Sequence, residues 1–109
     1  MKVNIYYKGS RQLNTFTINN VTYCIKISEH AELRLSQRKL DLFKIVGAIL
    51  SLGENKIKNY SNTNKDIFIM DNTNNFSVVC YIKNYTIMIV TVLNKADCYV
   101  REGTDVINL

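Results

Sequence analysis

The sequence predicts an α+β fold: N-terminal strands, two short helices over about residues 29–52, then a four-stranded antiparallel sheet. Three observations carry this. Residues 3–27 alternate apolar and polar side chains around turn-forming residues. Between Ser28 and Gly53, apolar residues recur at helical spacing behind cap residues. From Asn55 onward, short runs rich in Ile, Val, Tyr and Phe are separated by polar turns.

In chain order, VNIYY (Val3–Tyr7) and TFTI (Thr15–Ile18) flank KGSRQLN, where Gly9 and Ser10 suit a turn. Asn19-Asn20 is a second turn signal, and VTYCIKI (Val21–Ile27) alternates β-branched and aromatic residues with Thr and Lys. Ser28 is an N-cap residue, and Glu29 and Glu32 place negative charge in the first turn, where the helix dipole favours it. A helix from about Glu29 to Lys39 follows. Asp41 is a second N-cap, from which Leu42, Ile45, Val46 and Ile49 recur at i, i+3, i+4 and i+7, with Gly53 as the stop. The remainder reads as strands: NKIKNY (Asn55–Tyr60), DIFIMD (Asp66–Asp71), FSVVCYI (Phe76–Ile82) and YTIMIVTVL (Tyr85–Leu93), with a tight Lys83-Asn84 turn before the last. That last run is apolar on both parities, as a strand buried on both faces is. The closing NKADCYVREGTDVINL either returns along the sheet or covers its face.

At 109 residues the chain is expected to form a single domain (residues 1–109) with a core that needs no staples. An apolar fraction of 47% argues against disorder. Its longest apolar runs fall well short of the ~20 residues of a membrane span, so no membrane role is expected. MKVNIYYKGSR lacks the apolar segment of an export signal. Cys24, Cys80 and Cys98 are odd in number and widely spaced; they are expected to be reduced, two of them packed inside strands, with no metal site and no cofactor. Reduced thiols fit the cytoplasm. Fourteen Lys and Arg against nine Asp and Glu give +5, compatible with phosphate contacts. Abundant Asn, Ile, Lys and Tyr without Pro or Trp is the composition of an AT-rich genome, phage or low-GC bacterium.

One stretch carries chemistry. SEHAELRLSQRKLD (Ser28–Asp41) holds the chain's one histidine, His30, with Arg34 and Arg38 at steps of four. At about 100° per residue these three and Gln37 share one stripe, with Ala31 and Leu35 on one side and Leu33 and Leu40 on the other. A polar stripe with two apolar flanks predicts a helix lying partly in a groove with its cations looking into it. The alternative is a solvated helix face, since like charges so spaced cost little.

The spacing S-x-H-A-x-x-R-x-x-x-R, here Ser28, His30, Ala31, Arg34 and Arg38, resembles the opening helix of small RelE-like proteins in the barnase–EndoU–colicin–RelE group of ribonuclease toxins. In members carrying it, a short second helix follows, then a sheet whose late strand reads apolar-apolar-Thr-Val; IMIVTVL with Thr91 is similar. The resemblance covers about residues 28–101. It implies a RelE-like domain and metal-independent endoribonuclease activity, in which a 2′-hydroxyl attacks the adjacent phosphorus and leaves a cyclic phosphate. It implies roles for His30 in proton transfer, for Arg34 and Arg38 on the phosphate, for Thr91 as a donor, and for Tyr99 and Arg101 as a second acid or clamp. Lys26 and Lys95 would add general RNA attraction. The need for a 2′-OH makes RNA (mRNA or tRNA) the substrate. A toxin, freestanding or delivered, also requires an antitoxin or immunity protein, expected to be acidic and to cover the same stripe. One histidine rules out a two-histidine acid–base pair. The competing reading is a non-catalytic basic binding module, such as a phage protein that occupies RNA or a host nucleic-acid-handling factor.

Overall fold

The computed structural model describes residues 10–18, 20–61, 63, 65–95 and 103–109. The expected strand Val3–Tyr7 lies outside them. The described residues form six strands, β1 (Arg11–Ile18), β2 (Val21–Ile27), β3 (Ile67–Asp71), β4 (Phe76–Lys83), β5 (Thr86–Leu93) and β6 (Asp105–Asn108). Between β2 and β3 run three helices, α1 (Glu29–Gln37), α2 (Leu42–Leu50) and α3 (Gly53–Tyr60). No helix among the described residues is long and apolar enough to cross a membrane.

The α+β class stands, but the sheet differs from expectation. All six strands belong to one mixed sheet in the order β1-β2-β5-β4-β3-β6. The β3-β4-β5 meander is antiparallel, whereas β2 lies parallel to β5 and β6 parallel to β3. The predicted four-stranded antiparallel sheet is therefore replaced by a six-stranded mixed one, in which only β3, β4 and β5 form the expected meander. One of the four predicted strands, NKIKNY, is helical. Its alternation has a single apolar residue, Ile57, and a helix satisfies that residue equally well: Ile57 is 2% exposed, and Tyr60 and Ser61 follow it at i+3 and i+4 on the same side. Ser61 then donates to the Ile57 carbonyl at 2.7 Å and meets the Tyr23 hydroxyl at 3.2 Å.

The caps form as read. Ser28 Oγ accepts from Ala31 N at 3.0 Å, and Asp41 Oδ1 from Phe43 N at 2.9 Å. α1 ends two residues earlier than expected, in a Schellman turn: Leu40 N donates to Leu35 O at 3.1 Å and Lys39 N to Ser36 O at 3.2 Å. Lys39 takes the left-handed position there, φ 52°. A side chain is disfavoured in that region and glycine is not, so Lys39→Gly is expected to raise stability by about 0.5–1 kcal/mol. A lowered denaturant midpoint would count against this account of the turn.

The helices cover one face of the sheet. Ile45, Ala48 and Ile49 of α2 and Ile57 of α3 join Ile25, Ile27, Ile67, Ile69, Ile87 and Ile89 in one core. Cys80 sits within it, its thiol pushed up to about 12 by burial, so it is inert at neutral pH. Cys24, half-buried, is also free; Cys98 lies outside the described residues. The β4–β5 connection is a two-residue turn one position later than expected, Asn84-Tyr85, both with positive φ as such hairpins require.

Candidate functional site

The site question reduces to where α1 points, and β5 decides it. β2 stops pairing with β5 at Ile27–Ile89, so the remaining carbonyls of β5 on that side have no neighbouring strand. A bulge at Val90 lies here: Cys80 pairs with Ile89 and Val79 with Thr91, leaving Val90 without a partner in β4. Open carbonyls in a partly buried place need donors. Ser28 provides two, its backbone N to Ile89 O at 3.0 Å and its hydroxyl to Val90 O at 3.1 Å. The Arg38 guanidinium donates to Val92 O. So α1 takes the place a strand would have had and is fastened at both ends.

Arg38, expected on the phosphate, thus also has a structural contact: one of its guanidinium N–H groups ties the end of α1 to the edge of β5. Arg38→Ala strands the Val92 carbonyl and loses a charge-assisted bond, for an expected cost of about 1–3 kcal/mol. Arg34→Ala is expected to cost less than about 0.5 kcal/mol, because among the described residues Arg34 bonds only Gln37 Oε1, at 2.9 Å on the exposed surface. Equal losses of melting temperature in the two variants would reject the assignment.

The groove with two apolar walls also needs correction. Ala31 is fully buried and Leu35 packs on the core, but Leu33 is 54% exposed. Leu40 lies beyond the helix and packs on the core. The stripe therefore borders the core on one side only. Glu32, on the other flank of α1, accepts from Arg11 of β1 at 2.7–2.8 Å, an exposed ion pair that raises the Arg11 pKa.

These anchors fix the rotation of α1. Leu35 points to the helix-side core and Arg38 to the edge of β5, about 60° apart around the helix. Continuing in the same sense, Arg34 and then His30 pass beyond that edge, toward the sheet face that the helices do not cover. His30 is exposed and Arg34 half-buried.

Register places Thr91 and Lys26 on that same uncovered face. Lys26 alternates with the core residues Ile25 and Ile27 and pairs with Met88. Thr91 precedes the fully buried Val92 and pairs with Val79, whose neighbours Val78 and Cys80 are core. Without the bulge, the alternation of Ile87 and Ile89 would carry position 91 into the core; the bulge turns the hydroxyl outward. Both residues are half-buried. Part of this face is closed to solvent: Phe68, Met88 and Ser77 are buried. Lys95 is exposed just past β5, its carbonyl accepting from Ser77 Oγ at 2.8 Å. Tyr99 and Arg101 lie outside the described residues.

Sequence reading passed over Lys83 as part of a turn. It is the last residue of β4, pairs with Thr86 and projects on the same face as Tyr81 and Lys26. The period-2 pattern of FSVVCYIK contains that signal. Among the described strand positions this face carries Lys26 and Lys83 and no carboxylate. Asp71 and Asp105 fall on the other parity, where hydrogen bonds hold both carboxyls below their usual range, from Asn74 to Asp71 and from Tyr60 to Asp105. Described strand positions without acids, next to an imidazole and a guanidinium bonded to Gln37, suit a polyanion.

A hollow of about 600 Å³ lies elsewhere, between α2 and the β3–β4 turn, lined by Lys44, Ser51, Asp71 and Asn74. It shares no residue with the His30 stripe. No family model matches this chain, and no curated protein or solved structure matches it.

Proposed function

We propose that this chain is a RelE-like endoribonuclease that cleaves RNA by 2′-hydroxyl transesterification. One observation carries the reading: register sets Lys26 and Thr91 on the sheet face that the helices leave uncovered, where the described strand positions hold no acid, and the helical step from Leu35 through Arg38 turns Arg34 and His30 toward it. Helix, short second helix and a late strand with Thr91 occur in the order that the motif's resemblance implies. The five motif residues divide in two. Ser28, Ala31 and Arg38 hold the helix against β5, while His30 is exposed and Arg34 half-buried.

In this reading His30 transfers the proton, to or from the oxygens that exchange on phosphorus. Arg34 supplies a permanent charge to the phosphorane, Thr91 a hydroxyl donor and Lys26 attraction for the adjoining backbone. Lys83 extends that attraction toward the β4–β5 turn. The protein works in the cytoplasm of its producer or target, restrained by an acidic antitoxin or immunity protein.

Purified protein incubated with single-stranded RNA in EDTA is the test. Products ending in 2′,3′-cyclic phosphate, with the 2′-deoxy oligonucleotide left intact, support the reading. RNA bound but uncut rejects catalysis and leaves the basic binding module. RNA neither bound nor cut rejects the nuclease and an RNA-binding module alike, leaving only a module that occupies a host factor.

A further inference from the structure

Gln37 is the last residue of α1 and lies on the stripe of His30 and Arg34. It stands about 60° from Arg34 around the helix and about 4.5 Å further along the axis. Its side chain is exposed, and its Oε1 accepts from Arg34 Nη1 at 2.9 Å. A guanidinium has donors and no acceptor, so this bond fixes which way round the amide stands. The oxygen faces Arg34, and the amide nitrogen, with its two N–H groups, faces away. No hydrogen bond to another described residue engages either of them.

That orientation limits what Gln37 can read. A glutamine free to turn pairs with adenine by donating to N7 and accepting from N6. Held by Arg34, the amide can only donate. Adenine and cytosine carry an amino group on the edge they present, and two donors do not pair. Guanine sets two acceptors, O6 and N7, side by side. In single-stranded RNA that edge is open to a side chain.

We infer that Gln37 selects guanine next to the phosphate that Arg34 binds. The selection rests on the RNA-cleavage reading, because Arg34 must hold the phosphate for Gln37 to meet the neighbouring base. Arg34 and Gln37 restrain each other, so phosphate and base are met at a fixed spacing and less rotamer freedom is lost on binding.

The test gives the whole chain single-stranded RNA of random sequence in EDTA and sequences the product ends. Guanine is expected to be enriched about 3- to 10-fold at one position beside the cut, the worth of about one net hydrogen bond. Gln37→Met, similar in length and without donors, is expected to lose the enrichment. Gln37→Glu, whose carboxylate only accepts, is expected to move it from guanine to the amino-bearing bases. Both variants should melt with the parent, since the side chain is exposed. A purely structural role for Gln37 would leave the base preference where it was. A parent protein that cuts RNA without favouring guanine overturns the inference and leaves the nuclease standing. So does a Gln37→Met variant that keeps the preference. RNA left whole by the parent removes the nuclease and the inference together.

Discussion

His30→Ala is expected to lower the rate of RNA cleavage by about 10²- to 10⁴-fold while leaving the melting temperature unchanged. The size follows from the loss of a positioned proton-transfer group, and the chain has no second histidine to take over. The unchanged stability follows from the surroundings: His30 is exposed, and no hydrogen bond or ion pair joins its ring to another described residue. This combination separates it from Arg38, whose replacement acts on the fold first. Initial rates at saturating RNA, measured beside thermal melts of the same preparations, check both halves. Cleavage at the parent rate would remove His30 from the reaction and the proposal with it.

Phe76→Ala is expected to have the largest effect on stability, about 3–5 kcal/mol, from lost burial plus the cavity left behind. Phe76 is 2% exposed and is the largest of the fully buried side chains among the described residues. It opens β4 opposite Asp71, at the base of a turn held by two hydrogen bonds from Asn74 to the Asp71 carboxylate, at 2.9 and 3.0 Å. That turn limits how far the strand can move to refill the space. A domain of this size has only about 5–15 kcal/mol in hand, so the variant approaches unfolding near room temperature. Phe43→Ala is the control: the same atoms removed from an 88% exposed site should shift stability by less than about 0.5 kcal/mol in dilute protein. Denaturant midpoints for the pair read the contrast directly. Comparable losses in the two would mean that the core is not where the burial pattern puts it.

Several element boundaries were legible because their causes are local, although β1 starts at Arg11, inside the segment read as a turn, and Gly53–Tyr60 is a helix where a strand was read. VTYCIKI became β2 over the same seven residues, and Ser28 and Asp41 cap the helices they were read to cap. YTIMIVTVL became the strand between β2 and β4, as its apolar residues on both parities require. KIKNY was misread because one isoleucine between two lysines fits both periods. The site was legible in part. The spacing of His30, Arg34 and Arg38 put them on one stripe, but spacing does not reveal that one of the three is held by a carbonyl 54 residues away.

By itself, then, the sequence determined the caps, the helical stripe and strands β2 to β5, since each depends on alternation or on a hydrogen bond across two or three residues. Only the tertiary structure decided that β2 runs parallel to β5, that a bulge at Val90 turns Thr91 away from the core, and that Arg38 serves the sheet while His30 and Arg34 face outward. The physical reason is that all three rest on pairing between distant segments, β2 with β5, β4 with β5, and the flanks of α1 with the carbonyls that β2 leaves open. Those carbonyls must find donors, and which donors reach them depends on contacts between segments some sixty residues apart in the chain, such as Ser28 and Val90.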